Sequence, residues 1–318
     1  MSSQARTPSA SILDAALEFI RREWSPIPIP YREKGPVIKE WQKLRIGAAE
    51  APARFAKQQA NIGVLLGEPS NGLVDVDLDC AETVALAAHF LPPTGAVFGR
   101  TGKPDSHWLY CVPGAKSRRF ASTAGDVLVE LRSTGGQTVF PPSVHVSGEA
   151  ITWRQFGEPA RVSQTELVVA AARLAAGALL VRHWPQKGSR HHTALALAGM
   201  LLKNGCEVDR VAEFVRVITE AAGDREVDDR VQAVLDTHRR LGNGEAVTGQ
   251  RQLTELMGAD VVKALTHWLG FEGGAGQLTN RGCTDAANGE RLVRAFGQDT
   301  RFAFHRKKWF VWDGRRWA

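Results

Sequence analysis

The sequence predicts an α+β fold: a mixed or antiparallel sheet with few helices, followed by an all-α bundle. Two observations predict it. Up to about residue 156, short apolar runs recur between Gly, Pro, Ser and Asn, as strands and turns do. Beyond Glu158 the apolar spacing lengthens to that of amphipathic helices. Length agrees, because 318 residues exceed the roughly 250 to 300 at which single hydrophobic cores stop growing.

Taken in order, Ile12, Ala15, Ala16, Phe19 and Ile20 have helical spacing and predict a helix over Ile12–Arg22. The following SPIPIP must end it, since proline lacks the N–H and fixes φ, and extended chain is expected there. NIGVLLG, GLVDVDLD, HWLYCV, DVLVELR and TVFPPSV read as strands, with one helix, Ala81–Phe90, between the second and third. Ser163-Gln-Thr-Glu166 reads as a capping box, after which Leu167, Ala171, Leu174, Ala175 and Ala178 follow at helical spacing. Further amphipathic stretches cover Ala194–Leu202, Val208–Ala222, Val227–Leu241 and Leu253–Leu269. Gly270–Gln277 is a flexible linker by composition. A helical segment over Ala286–Phe296 and a hairpin turn at Asp313-Gly314 are expected beyond it. The expected division is a first domain over 1–160, a helical domain over 161–270, a Gly-rich linker over 271–279, and an incomplete module over 280–318. About 40 residues cannot easily bury Trp309, Trp312 and Trp317 alone, so the last segment reads as the edge of a longer protein.

Hydrophobic residues at 43% and charged residues at 23% are globular values and exclude extensive disorder. Forty Lys and Arg against 34 acidic residues give +6, which suits an anionic partner such as nucleic acid. The basic residues bunch at Lys116–Arg119 and His305–Lys308, either as phosphate-facing patches or as solvated faces. Cys80, Cys111, Cys206 and Cys283 are far apart, so no zinc ribbon or disulfide framework is visible, and no zinc is expected. A reducing cytoplasm is the simplest setting. No run of about 18 apolar residues occurs, so membrane insertion is not expected. No Walker A phosphate loop is present, which argues against ATP hydrolysis of the helicase kind.

The chemistry centres on Leu73–Asp79. With a strand's period of two, Val74, Val76 and Leu78 face one side while Asp75, Asp77 and Asp79 face the other. Carboxylates so placed repel one another and call for a cation. Divalent ions shared between carboxylates about 3.5 to 4 Å apart organise in-line attack on phosphate, and Mg²⁺ or Mn²⁺ suits all-oxygen ligands. The bland alternative is a solvated face on an edge strand. Two further segments raise the functional reading. In the first, Arg100 and Lys103 bracket a glycine and precede Ser106 and His107; in the second, Glu130 shares a strand face with Leu128 and Arg132. Arg100, Lys103, His107 and Arg132 are the cations a triphosphate needs, by charge-assisted hydrogen bonding. Taken singly, His107 reads equally as a core histidine and His145 as a turn residue.

This ordered set resembles the primase-polymerase domain of the archaeo-eukaryotic primase superfamily, as found in phage and plasmid replication proteins, over roughly residues 10–160. The motifs are the D-x-D pair after Gly72, Asp105-Ser106-His107 followed by Trp-Leu-Tyr, and lone Glu130 ahead of GGQTVFPPSVHVSG. NIGVLLG and Lys34-x-Pro36…Lys39-x-Trp41 look like that family's N-terminal portion. The resemblance implies an archaeo-eukaryotic primase-like catalytic domain with an RRM-like sheet. In it Asp77, Asp79 and Glu130 hold two Mg²⁺ or Mn²⁺ ions, and His107 contacts the incoming nucleotide. Arg100, Lys103, Ser106, Arg132, Ser143 and His145 join the nucleotide site, with Asp75 and Lys39 as further candidates.

The implied activity is primer synthesis and template-directed polymerisation. Its partners are a single-stranded DNA template, NTP or dNTP and a primer strand, in the cytoplasm of a bacterium or a phage-infected host. Two departures stand out: Asp75 occupies a position that is commonly apolar in the family, making Asp75 and Asp77 the alternative pair, and Asp105 replaces the usual small residue. The helical segment from Trp184 looks like the domain that follows such polymerases and assists priming. Asp285–Trp317 resembles the start of a module preceding a superfamily 3 helicase, itself missing from this chain. His191 and His192 are adjacent and do not point together, so they are read as structural or phosphate-facing. Two other readings remain open. One is a metal-dependent nuclease on the same acids. The other is a non-catalytic DNA-binding or loading module in which Trp309, Trp312 and Trp317 stack bases.

Overall fold

The computed structural model describes residues 11–56, 59–122, 124–271, 300–303 and 308–311. The chain divides into two compact units, Met1–Gly270 and Phe271–Ala318. In the first, α1 (Ile12–Arg21) and β1 (Ser25–Pro30) precede the short α2 (Ala51–Phe55), β2 (Ala60–Leu65) and β3 (Leu73–Leu78). After α3 (Ala81–Phe90) come β4 (Ala96–Arg100), β5 (Lys103–Cys111), β6 (Arg118–Ala121) and β7 (Val127–Arg132). Then follow β8 (Gln137–Phe140), β9 (Ile151–Phe156) and β10 (Ala160–Arg161). The helices are α4 (Gln164–Arg182), α5 (Arg190–Lys203), α6 (Val208–Ala221), α7 (Val227–Gly242), α8 (Gln250–Met257) and α9 (Ala259–Trp268). In the second unit, β11 (Thr300–Ala303) pairs antiparallel with β12 (Lys308–Val311). The expected turn at Asp313-Gly314, the helical segment 286–296 and most of the Gly-rich linker lie outside the described residues.

The α+β class expected from the sequence is observed. The larger sheet runs β6-β7-β3-β5-β4-β9, with the two-residue β10 alongside β5, and the smaller runs β1-β2-β8. Neighbours are antiparallel except β10 with β5. β4, β6 and β9 add to the strands read from the sequence. β1 is the SPIPIP segment, whose prolines are tolerated because it is an edge strand pairing only with β2. The odd residues Leu73, Asp75 and Asp77 of β3 face the smaller sheet. There Leu73, Phe98 and Leu109 pack with Ile62, Val64 and Phe140 and with Ala15, Ala16 and Phe19 of α1. On the reverse face α4 packs on β7 and α3 on β5. The result is a helix layer, a large sheet and a small sheet, with β3 central and buried along its whole length.

Ser163 caps α4, its hydroxyl accepting from the Glu166 N–H at 3.1 Å, which is one of the two bonds of the expected capping box. α4 is long and apolar enough to cross a membrane, but 61% of that stretch is buried within the protein, as in a core helix. The single stretch expected over Leu253–Leu269 is two helices, because Gly258 takes φ 91°, a left-handed conformation that interrupts the helical hydrogen bonding.

Candidate active site

The antiparallel registers place Trp153, Phe98, His107, Asp77, Glu130 and Arg119 in one row across six strands. Directly opposed residues point to the same face, so this row brings an aromatic pair, a histidine, two acids and an arginine together without any loop. One step along, Asp75 lies opposite Arg132. Asp79 follows the end of β3, and its N–H is held by the Leu128 carbonyl. The three aspartates thus form a depth series: Asp75 is fully buried, the Asp77 side chain is 6% exposed and that of Asp79 is 32% exposed.

Asp75 accepts from His107 Nδ1, at 3.0 Å to the nearer oxygen, and from the Thr138 hydroxyl of β8 at 2.6 Å. The His107 ring stacks on Phe98 with centroids 4.5 Å apart. Burial works against charge on His107, yet Asp75 and Asp77 outweigh it and raise its pKa above the ordinary value. Burial alone would also raise Asp75, but His107 and Arg132 hold it low. Asp77 is different. Burial, opposed by His107 and reinforced by Asp75, pushes its pKa up. Its Oδ2 meets Arg132 Nη2 at 2.5 Å, while Oδ1 is buried without a hydrogen bond, with Lys103 Nζ and His107 Nδ1 each 3.7 Å away. Glu130 is held low against its burial by Arg119 at 2.5 Å and Arg132 at 2.7 Å.

These groups line a cavity of about 540 Å³ between the two sheets. Asp77, Asp79, Glu130, His107, Arg100, Lys103, Ser106, Arg132 and His145 all line it, bringing together most of the residues singled out by sequence. Three others are placed elsewhere. Ser143 is fully buried and bonds the Ile62 backbone in both directions, tying β2 to the turn that follows β8. Lys39 is exposed and does not line the cavity; Lys34 of the same pattern does. Asp75 lies beneath the floor. Asp105 takes φ 51° and is bonded by Arg154, while Gly99 lets the β4–β5 hairpin close: a Cβ there would sit 2.6 Å from the Asp105 N and Lys103 O atoms.

Sequence reasoning did not assign Lys34, Arg119, Gln137 and Thr138 to the site. Arg119 belongs to a basic run noted above, but only its pairing opposite Glu130 reveals its place. Lys34 is held by a hydrogen bond from the Gln137 side chain to its carbonyl, at 2.7 Å. Burial, together with nearby Arg100 and Lys34, lowers the His145 pKa, so one wall of the cavity is strongly cationic. Glu149 answers part of that charge through Arg100, the Gly102 N–H and the Ser147 hydroxyl.

Among the described residues no three His, Cys, Asp or Glu side chains are arranged to ligate one ion together. The donors nonetheless fit a hard divalent cation at Asp77 and Asp79. Both offer carboxylate oxygens, Asp77 Oδ1 is unpaired, and a cationic group, Lys103 Nζ, already stands 2.9 Å from Asp79 and 3.7 Å from Asp77. Glu130 would have to exchange an arginine for an ion.

Residues 16–165, just under half of the chain, match the family described as bifunctional DNA primase/polymerase, N-terminal. No curated protein matches the chain. The family match supports a DNA primase or polymerase activity in general, with DNA and nucleotides as substrates.

Proposed function

We propose that the chain is a template-directed primase-polymerase of a phage or plasmid replication protein, transferring nucleotides from NTP or dNTP to a 3′-hydroxyl on single-stranded DNA. The observation that carries this reading is the cavity between the sheets, where an acidic floor meets a cationic wall inside the segment similar to the primase/polymerase family. Its volume of about 540 Å³ is within the range of small-ligand sites.

Asp77 and Asp79 are the residues that would hold Mg²⁺ or Mn²⁺, with Glu130 as the third acid. Bound there, such ions neutralise developing charge on the phosphates and activate the attacking hydroxyl. The chain's own contribution is positioning and charge. Lys34, Arg100, Lys103 and His145 form the wall against which a triphosphate would lie, each able to donate to phosphate oxygens. His107 would donate from the floor. Fixing these donors in place beforehand removes the cost of organising solvent around the transition state. Helices α4–α9 are taken as a separate functional domain that assists priming, and residues 280–318 as the start of a module leading to a helicase.

Purified chain given single-stranded template, Mg²⁺ or Mn²⁺ and labelled nucleotides should yield extended products. Adding nucleotides without a primer separates priming from extension. Absence of product with either metal overturns the reading. Degradation of labelled DNA without nucleotides would assign the same acids to a nuclease.

A further inference from the structure

The innermost aspartate of β3 has no place in the chemistry described above. Asp75 is fully buried between the two sheets and does not line the cavity, so it lies outside the space open to a substrate or ion. A buried carboxylate is costly unless its charge and lone pairs are met. Here both are met, and by a specific set: His107 Nδ1 lies 3.0 and 3.2 Å from the two oxygens, Thr138 Oγ1 donates at 2.6 Å, and Arg132 lies opposite on β7. The three partners come from three strands of two sheets. Thr138 is the link that matters most for orientation, because it anchors the carboxylate from the smaller sheet while β3 anchors it from the larger.

The imidazole is consequently fixed on two sides. Asp75 holds Nδ1, and Phe98 holds the ring plane with an interplanar angle of 14°. The ring can then offer only Nε2 to the cavity that His107 lines, and Nε2 has no protein partner among the described residues. An apolar residue, which the family resemblance leads one to expect at this position, would leave Nδ1 unpaired and the ring free to turn.

We propose that Asp75, anchored by Thr138, is a positioning residue that locks His107 so that Nε2 is the atom presented to the phosphates of a bound nucleoside triphosphate. This rests on the reading of the cavity as a nucleotide site. The test uses the full chain and a non-hydrolysable nucleoside triphosphate, with ¹⁵N-edited imidazole spectra and calorimetric binding side by side. In the parent protein the Nδ1 proton should be protected from exchange, and the Nε2 resonance should move on saturation with nucleotide. Asp75→Val should lose that protection and bind the triphosphate about tenfold more weakly, as loss of one charge-assisted contact implies. Asp75→Asn, which keeps an acceptor for Nδ1, should recover most of the affinity. Thr138→Val keeps every charge and removes the hydroxyl that anchors Asp75, so it should lower the Nδ1 protection as well as weaken binding about two- to fivefold; with Asp75→Asn it decides the matter if Asp75→Val does not fold. A parent chain that binds no triphosphate overturns the nucleotide reading itself. Binding with Nε2 unmoved, or a folded Asp75→Val or Thr138→Val chain that binds as tightly as the parent, overturns the positioning role alone.

Discussion

Two buried ionic clusters, one between the sheets and one among the helices, are built from the same residue types and end in opposite states. In the helical part Asp224, with a side chain 1% exposed, receives Arg230 Nε at 3.0 Å, the Trp184 indole at 3.2 Å and the Glu226 N–H at 3.1 Å. Arg190 stands 3.4 Å from Oδ1, the oxygen that also accepts from Glu226. Burial is overcome by these partners and its pKa falls below the ordinary value. Asp77 is equally shielded from solvent and also has an arginine, yet one oxygen is unpaired and its pKa is raised, by burial first and then by the neighbouring Asp75 and Asp79. Satisfied buried charge is the mark of a structural clasp, whereas a buried acid held short of its partners is where local rules give way to function. The contrast separates the two aspartates by what surrounds them, since residue type is the same.

The largest effect should follow from breaking the unsatisfied cluster. On the proposed function, Asp77→Asn should reduce nucleotide incorporation about a thousandfold or more, worth about 4 kcal/mol of transition-state stabilisation. The same change should leave folding stability unchanged or slightly raised, because it removes a charge that the fold does not fully pair. Steady-state incorporation and thermal unfolding measured on one preparation check both halves. A variant that loses activity only because it melts would collapse the distinction.

The sequence showed a good part of this site and none of its depth. Period two placed Asp75, Asp77 and Asp79 on one face, and α3 falls over Ala81–Phe90, where one helix is expected between two strands. What period two cannot contain is which of the three acids is sealed. That depends on β8 lying across the inner end of β3 and supplying Thr138, a contact between residues 63 positions apart. Arg119 is similarly hidden, since its pairing with Glu130 is a matter of strand register. Ser143 misled for the converse reason: its motif drew attention to the hydroxyl, which the fold uses to join backbone to backbone. The break at Gly258 depends on one residue's left-handed φ, which periodicity does not encode.

The satisfied cluster should respond in the opposite sense. Asp224→Asn should cost about 2 to 3 kcal/mol at neutral pH, the range for a hydrogen-bonded charge, and read out in denaturant unfolding. Acid should then erase the difference between the two substitutions. Asp224 has a folded pKa below the ordinary carboxylate value, so its stabilisation is present above the ordinary value and is lost as pH falls through the folded one. Asp77 has a raised folded pKa, so the favourable state is the protonated one, and the penalty of ionising it grows as pH rises through that value. The two variants should therefore differ most in unfolding midpoint near neutral pH, and the difference should shrink steadily as pH falls below the ordinary carboxylate range. Parallel curves across that range would mean that the clusters do not differ in the way their geometry implies.

The smallest effect should come from a third ionic contact, which lies outside both clusters and shows what exposure does to the comparison. Arg182 of α4 bonds Glu82 of α3 at 3.0 and 3.3 Å, clasping the two helices that back the larger sheet. This bond lowers the Glu82 pKa from 4.5 to about 2. Alone, a shift of that size implies a strongly stabilising pair. Both side chains keep roughly a quarter of their surface in water, however, at 23% and 29% exposure, so solvent screens the pair and most of the apparent gain is absent from the net stability. Glu82→Gln should accordingly cost about 0.5 to 1 kcal/mol at pH 7. The sign is that of a depressed acid: the contribution is present above about pH 4.5 and disappears as pH falls toward 2. Raising salt should shrink the Glu82→Gln effect while leaving that of Asp224→Asn nearly unchanged, because mobile ions reach the first pair and not the second. Equal salt sensitivity in the two would mean that burial is not what distinguishes a clasp inside the protein from one on its surface.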